Sequence, residues 1–153
     1  MCGYHCCRQL LPKEGAPVAG ESILLFPGEY ERACEAGTDR ARHIRLIGSD
    51  DNGGDYGFCD PTIIDQGSCH PARNFKPLDC RSYPLFPVVR DGRIMLYIDT
   101  RCPISRDNRE RLQDHARMVL RAWEREIERD PRVQEWLENL HLPTYEPFDL
   151  DNK

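Results

Sequence analysis

Residues 88–98 read VVRDGRIMLYI, two apolar segments on either side of an Asp-Gly pair. Asp-Gly favours a two-residue turn between antiparallel strands, because both central residues of such a turn adopt positive φ. The stretch therefore predicts a β-hairpin, with strands over residues 88–90 and 93–98. Earlier in the chain, Ile23 to Phe26 is a short apolar run and His43 to Ile47 alternates between polar and apolar residues, so two further strands are predicted.

After the hairpin the pattern becomes helical. Asp107 followed by Glu110 resembles a capping box, and Asp130 before Pro131 predicts the N-cap and first position of a second, shorter helix. A short helix is also predicted from Pro27 to Ala36. The first C-terminal helix has one apolar face, formed by Leu112, Ala116, Val119, Trp123 and Ile127.

These elements predict a small single α+β domain with irregular cysteine-rich loops, one β-hairpin and a C-terminal helical pair. We expect a cysteine-cluster metal-binding region over residues 1–104, a helical region packed on it over residues 105–142, and a tail over residues 143–153. Residues 48–57 are rich in Asp, Gly and Asn and are predicted to be a loop. Residues 58–87 are predicted to be irregular chain with short turns, and the tail a poorly ordered strap.

Composition limits the classes of function. The chain has 153 residues and a net charge of -5, so we expect no nucleic-acid surface. No apolar run approaches the roughly 20 residues of a membrane-spanning helix, so we expect no membrane partner. Met1 to Cys7 lacks the charged and apolar regions of a signal peptide, and we therefore expect a cytoplasmic protein.

The eight cysteines are the main chemical feature. In a reducing compartment, clustered cysteines more often bind metal than form disulfides, although a disulfide-stapled secreted domain would also suit the even count. Adjacent cysteines serve a multi-iron cluster or two separate sites more easily than one zinc ion. The remaining spacings lack the short Cys-x2-Cys pair of a zinc ribbon, so the ligands must come from separate loops. The predicted ligands are Cys2, Cys6, Cys7, Cys59, Cys69, Cys80 and Cys102.

Three segments carry a resemblance to a known family. They are residues 2–8 (CGYHCCR), residues 67–87 (GSCHPARNFKPLDCRSYPLFP) and residues 101–103 (RCP). Together they resemble the YkgJ-type cysteine-cluster family, which is described as chelating zinc or iron. The last element of the family pattern is Arg-Pro-x-x-Cys-Arg-x-[Tyr/Phe]-Pro, and residues 76–84 match it with lysine in place of the first arginine. The resemblance covers roughly residues 1–103.

The resemblance implies a metal centre held by cysteine thiolates. The first group in the family often contains a further cysteine, as Cys-x-x-Cys-Gly-x-Cys-Cys, so the number of ligands in this chain is open. Arg81 belongs to the family motif and is expected to lie at the cofactor, where its charge would balance thiolates; Arg8 and Arg101 also adjoin predicted ligands. Cys34 has no counterpart in the pattern and is expected to be a free buried cysteine.

The expected cofactor is an iron–sulfur cluster, with zinc as the alternative. His5 and His70 adjoin the cysteine segments and are either ligands or exposed loop residues. Three roles stay open. The chain could be a non-enzymatic metal or cluster protein that meets a redox partner, or a cluster-dependent enzyme that modifies a protein substrate, since flagellin lysine methylases have a similar cysteine group. It could also be a structural zinc module that binds a partner.

Overall fold

The computed structural model describes residues 22–60, 74–102 and 110–150. Within these residues the fold is α+β, as predicted, with two three-stranded antiparallel sheets. The chain divides into two compact units, with the boundary between Cys80 and Arg81. The three regions predicted from the sequence, residues 1–104, 105–142 and 143–153, remain predictions. Within the second unit, the hairpin pairs with a strand of the tail and packs against the helices.

The first unit contains a sheet in the order β1-β3-β2. Its central strand β3 pairs antiparallel with both neighbours. The elements of this unit are β1 (Ile23–Leu25), α1 (Glu29–Glu35), α2 (Thr38–Ala41), β2 (Ile44–Ser49), β3 (Asp55–Cys59) and the start of α3 (Leu78–Ser82). The strands predicted near Ile23 and Ile44 and the helix before Gly37 are therefore confirmed.

The predicted loop over residues 48–57 is shorter than expected. Only residues 50–54 connect β2 to β3, because the Asp50 side chain closes the turn: its Oδ1 accepts hydrogen bonds from the amides of Asn52 and Gly54, at 2.9 and 3.0 Å. This use of an aspartate to pair nearby amides is typical of tight turns. Gly57 then lets β3 approach β2 closely, since a Cβ atom at this position would overlap the Arg45 carbonyl.

The second unit contains a sheet in the order β4-β5-β6 and the C-terminal helices. The predicted hairpin is confirmed, and Asp91 and Gly92 at its turn have φ of 52° and 70°. The elements are β4 (Leu85–Arg90), β5 (Arg93–Asp99), a 3-10 turn (Glu110–Leu112), α4 (Gln113–Arg129), α5 (Pro131–Glu138) and β6 (Tyr145–Phe148). Asp130 caps α5 as predicted, accepting a hydrogen bond from the amide of Arg132. The predicted capping residue Asp107 lies outside the described residues.

Two predictions about irregular chain were wrong. Residues 78–82 form α3, and β4 begins at Leu85 rather than at Val88, whereas irregular chain was expected up to residue 87. Pro87 obscured the strand pattern, but a proline is tolerated in β4 because β4 lies at a sheet edge. Part of the tail is also ordered, since β6 pairs with β5 and the side chain of Phe148 is buried opposite Leu96.

Aromatic side chains form the core of the second unit. The ring of Trp123 on α4 lies 5.4 Å from that of Phe86 on β4 and 6.4 Å from that of Trp136 on α5. Trp123 is fully buried, and its indole N–H donates to the Ser82 hydroxyl at 2.8 Å. The predicted apolar face of α4 therefore packs on the hairpin, although Ile127 is only half-buried.

We expect Trp123→Ala to lower the free energy of unfolding by about 3–5 kcal/mol, the usual range for emptying a large aromatic site. The loss includes the hydrogen bond to Ser82. Chemical denaturation followed by circular dichroism would measure it. Met118→Ala is the matched control on the same helix, because Met118 is 65% exposed. A similar, small loss for both variants would contradict the packing described for Trp123.

Candidate metal centre

The structure describes three of the seven predicted cysteine ligands. Cys59 and Cys80 lie in the first unit, and Cys102 lies in the second. The remaining predicted ligands Cys2, Cys6, Cys7 and Cys69, together with His5, His70 and Arg8, lie outside the described residues. Of the described ligands, Cys59 and Cys80 are the two that belong to the same unit.

Cys59 and Cys80 contact the same small apolar cluster. Its buried members are Ile23, Leu25 and Ile44, which come from β1 and β2. Cys59 is the last residue of β3 and pairs with Ile44, whereas Cys80 lies in the middle of α3. Both cysteines are half-buried. Two cysteines that are 21 residues apart in the sequence are thus held against one apolar surface.

Two aromatic residues complete this surface, and the sequence did not indicate either of them. Phe75 and Tyr30 are partly buried against the same cluster. The pKa of Tyr30 is raised, first by burial and then by the nearby Cys34 thiol. Cys34 is a half-buried thiol on α1, whereas we expected a buried one. No local pattern could have identified Phe75, because its place depends on a hydrogen bond from its amide to the distant carbonyl of Arg40.

The position of Cys80 depends on two carboxylates. Glu29 is 5% exposed, and its Oε1 accepts a hydrogen bond from the Leu78 amide at 2.7 Å. Its Oε2 accepts from the Phe26 amide at 3.2 Å. Asp79 Oδ2 accepts from the Leu24 amide at 2.8 Å. The chain just before Cys80 is therefore attached to β1 and to the segment that leads into α1.

The arginines near predicted ligands differ in their surroundings. Arg81 is exposed on α3, and its predicted contact with a cofactor remains a prediction. Arg101 contacts the buried Asp99 through two of its nitrogens, Nε at 3.0 Å and Nη2 at 2.8 Å. The hydrogen bond to Asp99 raises the pKa of Arg101. The charge of Arg101 is thus matched by a carboxylate two residues away.

No group of three or more His, Cys, Asp or Glu side chains within residues 22–60, 74–102 and 110–150 is arranged to hold a metal ion. A centre with four thiolates that includes Cys59 and Cys80 would need further ligands from other parts of the chain. In the same described residues, no helix is both long and apolar enough to cross a membrane.

The resemblance to the YkgJ-type family remains an expectation from the sequence. No family model matches the chain, and no curated protein and no solved structure matches it either.

His43 is a buried residue that the sequence did not single out. Its side chain is 1% exposed, and within the described residues neither ring nitrogen has a hydrogen-bond partner of good geometry. Burial lowers the pKa of His43, and this effect outweighs the nearby backbone groups of Phe75 and Arg40, which favour protonation. The backbone carbonyl of His43 accepts a hydrogen bond from the Asp60 amide at 2.8 Å, so His43 lies beside the end of β3.

We expect the first unit to lose stability in mild acid because of His43. Above the unfolded-state pKa of about 6.5, the ring is neutral in both states, so it does not make the free energy of unfolding depend on pH. As the pH falls below that value towards the lowered pKa of the folded state, the unfolded chain takes up the proton more readily, so the free energy of unfolding decreases. Denaturation of His43→Leu between pH 8 and pH 5 should show a smaller decrease than the parent protein. The exposed His141→Leu is the control, and equal slopes for all three proteins would contradict the expectation.

Proposed function

We propose that this chain binds a metal centre, an iron–sulfur cluster in preference to zinc, through cysteine thiolates. The observation that carries the proposal is that Cys59 and Cys80, from separate elements, contact one apolar cluster. Thiolates are soft ligands suited to iron–sulfur clusters and to zinc, and an apolar surface beside them limits the access of solvent. Membership of the YkgJ-type family is part of the same proposal.

The proposed ligand set consists of the cysteines that the sequence pattern selects: Cys2, Cys6, Cys7, Cys59, Cys69, Cys80 and Cys102. Cys59 and Cys80 fit a thiolate centre because they are half-buried and share an apolar neighbour. A cluster, when bound, would supply electron-transfer or Lewis-acid chemistry. The residues of this chain would hold it and shield it, with Phe75 and Tyr30 contributing to the apolar surface.

Iron is preferred because of the number and arrangement of the cysteines. A closed structural zinc site uses four ligands, commonly supplied as two closely spaced pairs. This chain offers an adjacent pair, Cys6 and Cys7, and several single cysteines far apart in the sequence. Such a set suits a larger multi-iron core that is reached from several segments of the chain.

We expect protein purified without oxygen to be brown, with broad visible absorption and bound iron. Cys80→Ser and Cys59→Ser should each remove most of the absorption, because each removes a thiolate. Cys34→Ser is the matched control, since Cys34 is a half-buried cysteine outside the proposed set. Colourless protein with stoichiometric zinc would show that the bound metal is zinc and not iron. Protein that contains neither metal, before or after reconstitution, would overturn the proposed function.

We also expect the N-terminal cysteines to serve the same centre as Cys80. No single segment of the chain contains four well-spaced thiols, so ligands must be shared between segments. Cys6→Ser should then lower the bound metal to the same extent as Cys80→Ser, and the double variant should lose no more than either single variant. Additive losses, measured as metal per protein chain, would indicate two independent sites instead.

A further inference from the structure

The chain that carries Cys80 is held by hydrogen bonds that involve no metal. The two carboxylate oxygens of Glu29 accept hydrogen bonds from the backbone amides of Leu78 and Phe26. The side chain of Asp79, the residue before Cys80, accepts a hydrogen bond from the backbone amide of Leu24. Leu78 is 49 residues from Glu29, and Asp79 is 55 residues from Leu24. The Leu24–Asp79 bond joins α3 to β1, and the two bonds to Glu29 join the start of α3 to the segment between β1 and α1.

Two of these bonds, from Leu78 at 2.7 Å and from Leu24 at 2.8 Å, have the short distances typical of strong hydrogen bonds. Hydrogen bonds to an ionised carboxylate are shorter and stronger than those between neutral groups, and a low local dielectric strengthens them further. Glu29 is 5% exposed, so leaving one of its oxygens unpaired would cost the desolvation of that oxygen. Cys59, in turn, is held at the end of β3 by its ladder with β2. Both thiols are thus positioned by the fold itself.

We propose that Glu29 and Asp79 are positioning residues, which hold the Cys80 thiol on the same apolar cluster as Cys59 before any metal binds. The metal would then bind thiols that the fold has already placed against one apolar cluster. This behaviour differs from that of a structural zinc module, in which the chain folds only around the ion. The reference to metal rests on the proposed function, but the placement of Cys80 in the metal-free protein does not.

Two pairs of substitutions separate positioning from general stability. Glu29→Gln replaces one of two accepting oxygens by an NH2 group, which cannot accept an amide hydrogen bond; Glu31→Gln is the control, because Glu31 is exposed on the same helix. Asp79→Ala removes the acceptor for the Leu24 amide, whereas Asp79→Asn retains one accepting oxygen. The conservative Asp79→Asn variant removes the charge but keeps an acceptor, so its effect on Cys80 should be smaller than that of Asp79→Ala.

The first measurement uses reduced, chelator-treated, full-length protein and the alkylation of each cysteine by iodoacetamide, followed by mass spectrometry. We expect Glu29→Gln and Asp79→Ala to raise the alkylation rate of Cys80 by about tenfold, because each loosens the local structure around α3. The rate at Cys34 should stay unchanged, as should all rates in Glu31→Gln, and the rise at Cys80 should be smaller in Asp79→Asn than in Asp79→Ala. An unchanged rate at Cys80 would overturn the proposal.

Equal increases at Cys34 and Cys80 in Glu29→Gln would mean that this variant loosens the whole unit. The comparison of Asp79→Ala with Asp79→Asn then decides. A rise confined to Cys80 that is larger in Asp79→Ala than in Asp79→Asn supports positioning, and any other pattern overturns it.

The second measurement is the affinity for Zn²⁺ alone, determined by competition with a chromophoric chelator at a temperature where every variant is folded. We expect Glu29→Gln and Asp79→Ala to weaken binding by about tenfold, since part of the binding energy must then order Cys80. Unchanged affinity in both variants would overturn the role of positioning in metal binding. If the parent protein binds no metal, the proposed function fails, and the alkylation rates still decide the placement of Cys80.

Discussion

Most polar groups that are buried away from water are paired, and in each unit one such pairing joins distant segments of the chain. In the first unit the carboxylate of Glu29 accepts the amide of Leu78, 49 residues later. In the second unit the indole of Trp123 donates to the hydroxyl of Ser82, 41 residues earlier. If either bond were broken, the buried group left unpaired would lose its hydration without any replacement, which is energetically costly. Each bond therefore favours one arrangement of the two segments that it joins. The packing within each unit is built on that arrangement.

The apolar cluster of the first unit is small, which explains why cysteines belong to it. Its fully buried residues are Ile23, Leu25 and Ile44, and the contacts around them are completed by partly buried side chains. A cysteine behaves as a small hydrophobic residue in such a place. Cys59 and Cys80 therefore contribute to packing as well as to the proposed centre. The same substitution would affect both roles, so comparison with Cys34 is needed to separate them.

The sequence predicted correctly the elements whose structure is determined by residues close together in the chain. The hairpin followed from Asp91 and Gly92, whose positive φ values match the turn, and α5 followed from the Asp130 cap. The ordered strand β6 was missed because it is stabilised by pairing with β5, a partner almost fifty residues earlier, and by the burial of Phe148. The role of Glu29 was missed for the same reason. Its sequence context indicates only the first turn of a helix, whereas its partner Leu78 is supplied by the fold.

For the candidate site, the spacing of the cysteines predicted ligands from separate segments but not which side chains lie beside each thiol. For Cys59, the opposite residue depends on a bulge in β2. Beyond the bulge Ser49 pairs with Asp55, and continuing this register without interruption would place Cys59 opposite Arg45. The extra residue between Leu46 and Gly48 shifts the register by one, so Cys59 lies opposite Ile44. The bulge in β2 therefore places the apolar Ile44, a buried member of the cluster, opposite Cys59 in place of Arg45. No composition or spacing rule indicates where such a bulge falls.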